Sequence, residues 1–174
     1  MTNIGQEFIA RSRFHLTQDY LPKIERCLDL LSDEQIWWRA NAQSNSIGNL
    51  LLHLSGNVRQ WIVTGLGSAA DMRDRDAEFT QRDVISREEL LARLRQTLKE
   101  ADGVLANFNT DSLLKEYRIQ EFDVSALEAT LHVVEHFSMH TGQIIMLTKL
   151  FTEIDLEFYD FSGPTPVLTW KRDP

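Results

Sequence analysis

Residues 125–151, SALEATLHVVEHFSMHTGQIIMLTKLF, decide the fold, because they predict one long helix with histidines along a single stripe. Ser125 and Glu128 can form a capping box, in which each side chain hydrogen-bonds the other residue's free backbone N–H. His132, His136 and His140 follow at four-residue steps, and each step advances only about 40° around a helix, so the three rings share one stripe. Ala129, Met139, Gln143, Leu147 and Leu150 also lie within roughly 60° of His136. A bundle helix normally buries such a stripe, so the sequence predicts buried histidines that need hydrogen-bond partners or a ligand.

Three more segments have the 3.6-residue apolar period of amphipathic helices. The first covers about residues 3–31, and Pro22 within it predicts a kink or a break because proline cannot donate to the carbonyl of Gln18. The second covers about residues 46–64, and the third covers about residues 86–108. The third opens with Ser86 and Glu89, which are spaced for a second capping box. Four such helices predict an all-α four-helix bundle, with residues 1–174 as a single domain.

A long loop is predicted between the second and third helices of the bundle. Residues 65–85 read GLGSAADMRDRDAEFTQRDVI and are charged and aperiodic. Loops of this length are unusual in compact bundles and often carry function, so we place this loop over one end of the bundle. Strand-like alternation is limited to YRIQEFD (117–123) and the tail TPVLTW (165–170), which we expect to pair at one edge of the molecule.

Composition excludes several classes of protein. The net charge of -8 argues against a nucleic-acid partner, which requires clustered excess Lys and Arg. Cys27 is the single cysteine, so an internal disulfide and a cysteine-rich zinc site are both excluded, and a reducing cytoplasm is expected. The N-terminus lacks the apolar segment of a signal peptide, and no stretch approaches the roughly 20 apolar residues of a membrane span. Small molecules or other proteins are the expected partners.

The histidines have both an ordinary interpretation and a functional one. His53, in the second helix, lies at the margin of its apolar stripe, and a lone histidine there is usually a hydrogen-bonded core residue. Two histidines at i and i+4 can direct nitrogens at one ion, and both His132–His136 and His136–His140 form such a pair. The stretch H-V-V-E-H at 132–136 also matches the H-x-x-E-H pattern of inverted zinc proteases, with Glu135 as the base. We discount a protease because so small a bundle offers little room for its substrate cleft.

Two motifs resemble the DinB/YfiT-like family of four-helix-bundle metalloenzymes. They are L-x-x-H-L-x-G-N around His53 and H-x-x-x-H-T-G-Q from His136 to Gln143. The resemblance covers most of the chain and implies that His53, His136 and His140 form a three-histidine site for a divalent metal, usually zinc or nickel. This chain has Thr141 where the family more often has Arg. His132 is additional to the pattern and is expected to line the pocket or assist.

The resemblance also implies an activity. Family members with assigned reactions are thiol-dependent S-transferases or isomerases, so the expected cofactors are the metal and a low-molecular-weight thiol. Glu135 or His132 would assist proton transfer at such a site. Arg73 and Arg75, and also Arg82, are candidates for holding the carboxylates of the thiol, although their acidic neighbours favour plain ion pairs in solvent. The alternative function is a non-catalytic metal- or ligand-binding protein of a stress response, and in either case we expect a homodimer.

Overall fold

The computed structural model describes residues 3–171, which form four long helical rods joined by short elements. In chain order the helices are α1 (Ile4–Phe14), α2 (Leu21–Asp29), α3 (Asp33–Trp37), α4 (Ile47–Val58), α5 (Arg75–Thr80), α6 (Arg87–Ala106) and α7 (Ala126–Thr152). A π-helical turn (His15–Tyr20) joins α1 to α2 in the first rod, and a π-helical extension (Arg59–Gly67) lengthens α4 into the second rod. The third and fourth rods are α6 and α7. The predicted all-α four-helix bundle is confirmed.

The rods pack so that the second touches both the third and the fourth. The main contacts join α4 to α6 and to α7, and the first rod packs against α7 through α2 and against α6 through α1. The largest fully buried side chains come from all four rods and from α3: Phe137, Leu16, Ile24, Leu28, Ile36, Ile47, Leu51, Leu54, Ile62, Leu90, Leu94 and Leu98. The side-by-side packing of α4 and α7 places His53 opposite the histidines of α7.

The first rod stays helical on both sides of Pro22. The π-helical turn lies just before this proline, which occupies the first turn of α2, where a missing N–H costs least. The expected loss of a donor to the Gln18 carbonyl is compensated from elsewhere in the chain, because the indole Nε1–H of Trp170 donates to it at 3.2 Å. The predicted kink or break therefore takes the form of a wider helical turn.

Serine caps begin the second, third and fourth rods. Ser46 and Ser125 form complete capping boxes with Asn49 and Glu128. Ser86 accepts from the backbone N–H of Glu89 at 3.2 Å, but the Glu89 side chain pairs with Arg93 instead of closing the box. The predicted box at Ser86 is therefore only half formed, because an i,i+4 partner competes for the carboxylate.

The buried face of α7 differs from the predicted one. Its centre runs through Val133, Phe137 and Ile144, all fully buried, whereas Met139 and Leu150 are mostly exposed. Phe137 lies about 100° around the helix from His136, so the histidines lie along one edge of the buried face and not at its centre. The prediction was wrong because the bulkiest branched and aromatic side chains, not the number of apolar residues, determine which face packs.

The strand segments pair locally and not with each other. The segment 117–123 lies within a hairpin of β1 (Glu116–Ile119) and β2 (Phe122–Ser125), and two residues with positive φ, Gln120 and Glu121, form its turn. The tail segment contributes β4 (Val167–Leu168), which pairs with β3 (Tyr159–Asp160). Our expectation of one shared edge was wrong, because a two-residue turn between adjacent strands closes at lower entropic cost than a distant pairing.

The predicted loop contains α5, whose N-cap is Asp74. This helix is not predictable from the apolar pattern, since its six residues are too few to show an apolar period. Within residues 3–171, no helix has the combination of length and apolar character that crossing a membrane requires.

Candidate metal centre

Three histidine rings from α4 and α7 meet beside the loop. His53 Nε2 lies 3.0 Å from His136 Nε2, and His140 Nε2 lies 3.1 Å from that same atom. One nitrogen from each of the three rings can be chosen so that all lie within 4.8 Å of one another, and within residues 3–171 no other cluster of His, Cys, Asp or Glu meets this condition. Ring nitrogens that share one tetrahedral ion at about 2.0–2.1 Å lie about 3.3 Å apart. The two distances to His136 Nε2 are close to that value.

The loop holds His53 from the side opposite the cluster. Its Nδ1 donates to Glu78 Oε2 at 2.9 Å, and Arg73 binds the Glu78 carboxylate twice, with Nε 2.7 Å from Oε1 and Nη2 2.9 Å from Oε2. The side chains of His53, Glu78 and Arg73 are only 8%, 9% and 5% exposed. Arg73 Nη2 also lies 3.1 Å from His53 Nδ1, but a nitrogen that donates to Glu78 cannot accept from Arg73 as well, so we assign the arginine hydrogens to the carboxylate.

The outer ring nitrogens of two histidines have partners that fix their tautomers. Donation from His53 Nδ1 to Glu78, and from His140 Nδ1 to Gln143 Oε1 at 2.7 Å, leaves each Nε2 of a neutral ring with a lone pair directed at the cluster. This is the arrangement found in metal-binding histidines, whose second nitrogen donates to a carboxylate or carbonyl oxygen. His136 differs, because its Nδ1 is buried and has no hydrogen-bond partner among the described residues.

The environment favours neutral rings. Burial, followed by the neighbouring His140 and His53, lowers the pKa of His136 to about 3. Burial also lowers the pKa of His140, although its hydrogen bond to Gln143 opposes the shift. Burial would raise the pKa of the Glu78 carboxyl, but the hydrogen bonds from Arg73 and His53 outweigh it and lower that pKa below its ordinary value. Uncharged His136 and His140 rings beside an ionised Glu78 carboxylate are protonation states that suit a cation at the cluster.

His132 lies outside the converging group. Its Nε2 is 3.2 Å from Asn57 Nδ2, and its ring packs against Trp61 at 4.2 Å and, more loosely, His136 at 5.4 Å between centroids. Two buried atoms on this side, Asn57 Oδ1 and Trp61 Nε1, have no partner among the described residues. His132 therefore belongs to a polar wall next to the cluster, and its assistance in proton transfer stays a prediction.

The remaining candidates from the sequence lie farther out. Glu135 is exposed on α7, and its charge acts on His132 by raising that residue's pKa against the larger, lowering effect of burial. Arg75 is exposed and stacks over the Phe79 ring at 5.0 Å, while Phe79 packs against His53 at 4.6 Å. Arg82 donates to backbone carbonyls of its own loop. Arg73 does form an ion pair, as its acidic neighbours suggested, but the pair is buried and not in solvent.

Two pockets flank the centre, one on each side. A cavity of about 500 Å³ between α4, α6 and the loop is bounded by Gly56, Arg73 and Glu78. A second cavity of about 460 Å³ between α4 and α7 reaches Gln143, the partner of His140. Each pocket is therefore lined by a residue that hydrogen-bonds a histidine of the cluster. Glu78, the partner of His53, lines the first pocket, and Gln143, the partner of His140, lines the second.

Glu78 and Gly56 are the site residues that our sequence analysis did not assign to the centre. The alternating charges of the loop predict only ion pairs in solvent for Glu78 and the other loop acids. Gly56 lies within the motif around His53, where a Cβ would overlap Glu78 Oε1 and lie 2.9 Å from Arg73 Nε. The available signal was this glycine three residues after the histidine, since a glycine inside a helix often marks the close approach of another group.

Known proteins share this architecture. Residues 3–162 match the model of a family described as "Protein of unknown function (DUF1572)". A crystal structure of a DinB-like protein from Bacillus cereus ATCC 10987 is similar with a TM-score of 0.60 and 15% identity, over 75% of this chain and 85% of that chain. A conserved protein from Enterococcus faecalis is similar with a TM-score of 0.68 and 12% identity, over 88% of this chain and 100% of that chain. No curated protein matches the sequence.

Proposed function

The chain belongs to the DUF1572 family, which is DinB-like, and on this basis we propose that it is a metalloprotein in which His53, His136 and His140 bind one divalent ion. The observation that carries the proposal is the convergence of three imidazole nitrogens, with the outer nitrogens of His53 and His140 hydrogen-bonded to oxygen acceptors. Three neutral nitrogen ligands suit zinc, nickel and similar ions, and do not suit calcium or magnesium, which prefer oxygen.

We further propose that the ion serves thiol chemistry on a small-molecule substrate. A divalent ion with three neutral ligands keeps its full charge and lowers the pKa of a thiol or water that reaches it. The protein's own thiol is unsuited to this role, because Cys27 is fully buried and burial raises its pKa to about 11. A low-molecular-weight thiol would therefore lose its proton and act as the nucleophile. Its sulfur would form a bond to an electrophilic carbon while the bond from that carbon to chloride, or to an epoxide oxygen, breaks.

The surrounding side chains suggest how such a thiol would be held. Arg73 has its guanidinium committed to Glu78 and Gln60, so the exposed Arg75 is the better candidate for a carboxylate of the thiol. Glu135 and His132 remain the proposed groups for proton transfer.

A non-catalytic metal-binding protein is the second candidate. Burial of His53 and His140, at 6% and 8% exposure, favours it, because a catalytic ion must be reachable by its substrate. We also propose a homodimer, supported by mostly exposed apolar side chains along one side of α7, namely Met139, Met146 and Leu150. Light scattering of the purified protein would test the dimer.

Metal analysis followed by a thiol-transfer screen tests the proposed function. Purified protein should contain close to one divalent ion per chain, and His140→Ala should lose both the ion and transfer from a thiol to a chlorinated aromatic or an epoxide. His15→Ala is the matched control, because His15 pairs with Asp19 on the first rod and should retain both properties. Metal loss without any measurable transfer in the wild type would favour the non-catalytic candidate, and a metal content unchanged by His140→Ala would exclude the three-histidine site.

A further inference from the structure

The loop between the second and third rods reaches the metal centre through one buried ion pair. Arg73 and Glu78 are five residues apart, one on each side of the start of α5, and both side chains point inward to His53. We call Arg73, Glu78 and the segment between them the clasp. Because a buried carboxylate or guanidinium is costly without its partner, the two charges hold this segment of loop against α4.

Gly56 provides the space that the clasp occupies. It lies one helical turn after His53 on α4, directly beneath the Glu78 carboxylate and the Arg73 guanidinium. Its backbone is helical and its φ is not positive, so alanine would suit the helix itself. The three nearest atoms that a Cβ would meet belong to the Glu78 and Arg73 side chains. Alanine at this position should therefore leave the helix intact and displace the clasp.

Glu78 acts on the centre through His53 and not as a ligand. Its Oε2 accepts from Nδ1, the nitrogen directed away from the cluster, and its Oε1 accepts from Arg73. This contact fixes both the plane of the ring and the tautomer, and it increases the basicity of Nε2. Loss of such a partner typically lowers metal affinity by about 10- to 100-fold.

We propose that the clasp couples the order of the loop to metal occupancy, with Glu78 and Arg73 as positioning residues for His53. The proposal rests on the three-histidine metal site of the proposed function. Coupling between two binding events is reciprocal. If closing the clasp raises the affinity of His53, His136 and His140 for an ion, then a bound ion stabilises the closed clasp by the same factor.

Trypsin cleavage can measure how often the clasp opens, because trypsin cleaves after arginine and the loop carries Arg73, Arg75 and Arg82. Arg73 is protected only while its side chain is buried. When the loop opens and closes faster than it is cut, cleavage follows the population of the open form. Saturating Zn²⁺ should therefore slow cleavage after Arg73 in the wild type, by about the factor by which the clasp raises Zn²⁺ affinity.

Gly56→Ala is the test, and Gly103→Ala is its matched control. Gly103 is also a helical glycine, but a Cβ there would meet nothing within 4 Å. We expect Gly56→Ala to raise the Zn²⁺ dissociation constant by about 10-fold or more, to alter the d–d absorption of Co²⁺ bound at the site, and to abolish the Zn²⁺-dependent protection of Arg73. Gly103→Ala should match the wild type in all three measurements.

Glu78→Gln gives a second measurement that does not depend on crowding at Gly56. Glutamine keeps an oxygen that accepts from His53 Nδ1 but loses the charge that holds Arg73, so Zn²⁺ affinity should fall less than in Gly56→Ala while cleavage after Arg73 accelerates. If both variants keep the Zn²⁺ affinity of the wild type and its Zn²⁺-dependent protection of Arg73 against trypsin, the clasp proposal is wrong. The proposed metal site would not be affected by that result. A wild-type protein that binds no Zn²⁺ or Co²⁺ would overturn the metal site and, with it, the coupling.

Discussion

His136 is the histidine of the cluster whose two ring nitrogens differ most in their hydrogen-bond partners. Both of its neighbours direct lone pairs at its Nε2, which favours a proton on that nitrogen in the metal-free protein. Its Nδ1 then stays buried without a partner. An ion at the cluster would reverse this tautomer, since a ligand nitrogen cannot carry a proton. The ring is therefore the part of the site whose protonation changes most on metal binding.

We expect the metal-free protein to lose stability in mild acid. His136 has an ordinary pKa near 6.5 when unfolded and about 3 when folded, so the unfolded chain binds the proton more tightly. Stability is then full above about pH 6.5 and falls as the pH is lowered toward 3. Between pH 7 and 4.5 the loss should be about 1–2 kcal/mol, less than a fully buried ring would give.

Urea unfolding at several pH values, with chelator present, measures this loss. Replacing His136 by Gln removes the titrating group and should flatten the dependence over this range. The lowered pKa values of His132 and His140 act in the same direction, so some slope should persist. An unchanged slope in the variant would mean that His136 is not the group responsible.

At the scale of elements, α4 is tied to the loop at its first turn as well as at His53. Asn49 is 1% exposed, and its Nδ2 donates to the carbonyl oxygens of Glu78 and Gln81 at 2.9 and 3.2 Å. Its Oδ1 accepts from the backbone N–H and hydroxyl of Ser46. One amide therefore caps the helix and anchors the C-terminal end of α5.

Asn49→Ala should destabilise the protein by about 2–4 kcal/mol, because it leaves several buried backbone groups without partners. Asn45→Ala is a suitable comparison, since Asn45 is exposed just before the helix and should cost less than about 0.5 kcal/mol. The free energy of unfolding from urea titration would distinguish them. Equal values would show that water readily replaces the Asn49 contacts.

The cap of α7 gives a second prediction for an element. Ser125 and Glu128 form a complete box, with Glu128 Oε2 accepting from Ser125 N at 2.8 Å, whereas Ser86 makes only one half of a box. Ser125→Ala removes two contacts of the hydroxyl, one accepted from Glu128 N–H and one donated to Glu128 Oε2, whereas Ser86→Ala removes only the one from Glu89 N–H. Ser125→Ala should therefore cost about 1–2 kcal/mol, and Ser86→Ala about half as much. Thermal unfolding of the two variants side by side tests the order, and a larger loss at Ser86 would contradict it.

Helix periods predicted the rods, and histidine spacing predicted pairs of rings on one stripe of α7, because both depend on local geometry that sequence displays directly. That His53 joins His136 and His140 was implied only by the family resemblance. Counting apolar residues did not predict which face of α7 is buried. Phe137 and Ile144 pack in the core, whereas Met139 and Met146 are mostly exposed. Glu78 could not be distinguished from the other loop acids, because its role depends on α5, a helix too short to leave a periodic signal. The contacts that could not be predicted from the sequence are therefore mostly those that the loop makes with the metal centre.

At the scale of the whole molecule, the tail closes over the first rod. After α7 the chain turns back at Glu153, which has a positive φ, and Trp170 reaches the Gln18 carbonyl that Pro22 cannot satisfy. Lys23 lies among the rings of Tyr20, Phe158 and Tyr159 in the same region. The final strands and the first rod therefore support each other although they lie at opposite ends of the sequence.

Trp170→Phe should lower stability by about 0.5–1.5 kcal/mol, because it keeps the ring but removes the donor. In a Pro22→Ala background the backbone can supply an N–H to Gln18, so the same change should cost less. A double-mutant cycle by urea unfolding measures this coupling. Additive effects would show that Trp170 acts through packing alone.

The partners His53 and His136 lie 83 residues apart in the sequence, and this separation has a consequence for the lifetime of the protein. An ion held between α4 and α7 would close a chain segment of that length, and it would have to leave before the two rods could separate. In a cell short of metal, more copies would open and meet proteases. Abundance would then follow metal supply without any change in synthesis, and a pulse-chase experiment with and without a permeant chelator would reveal it.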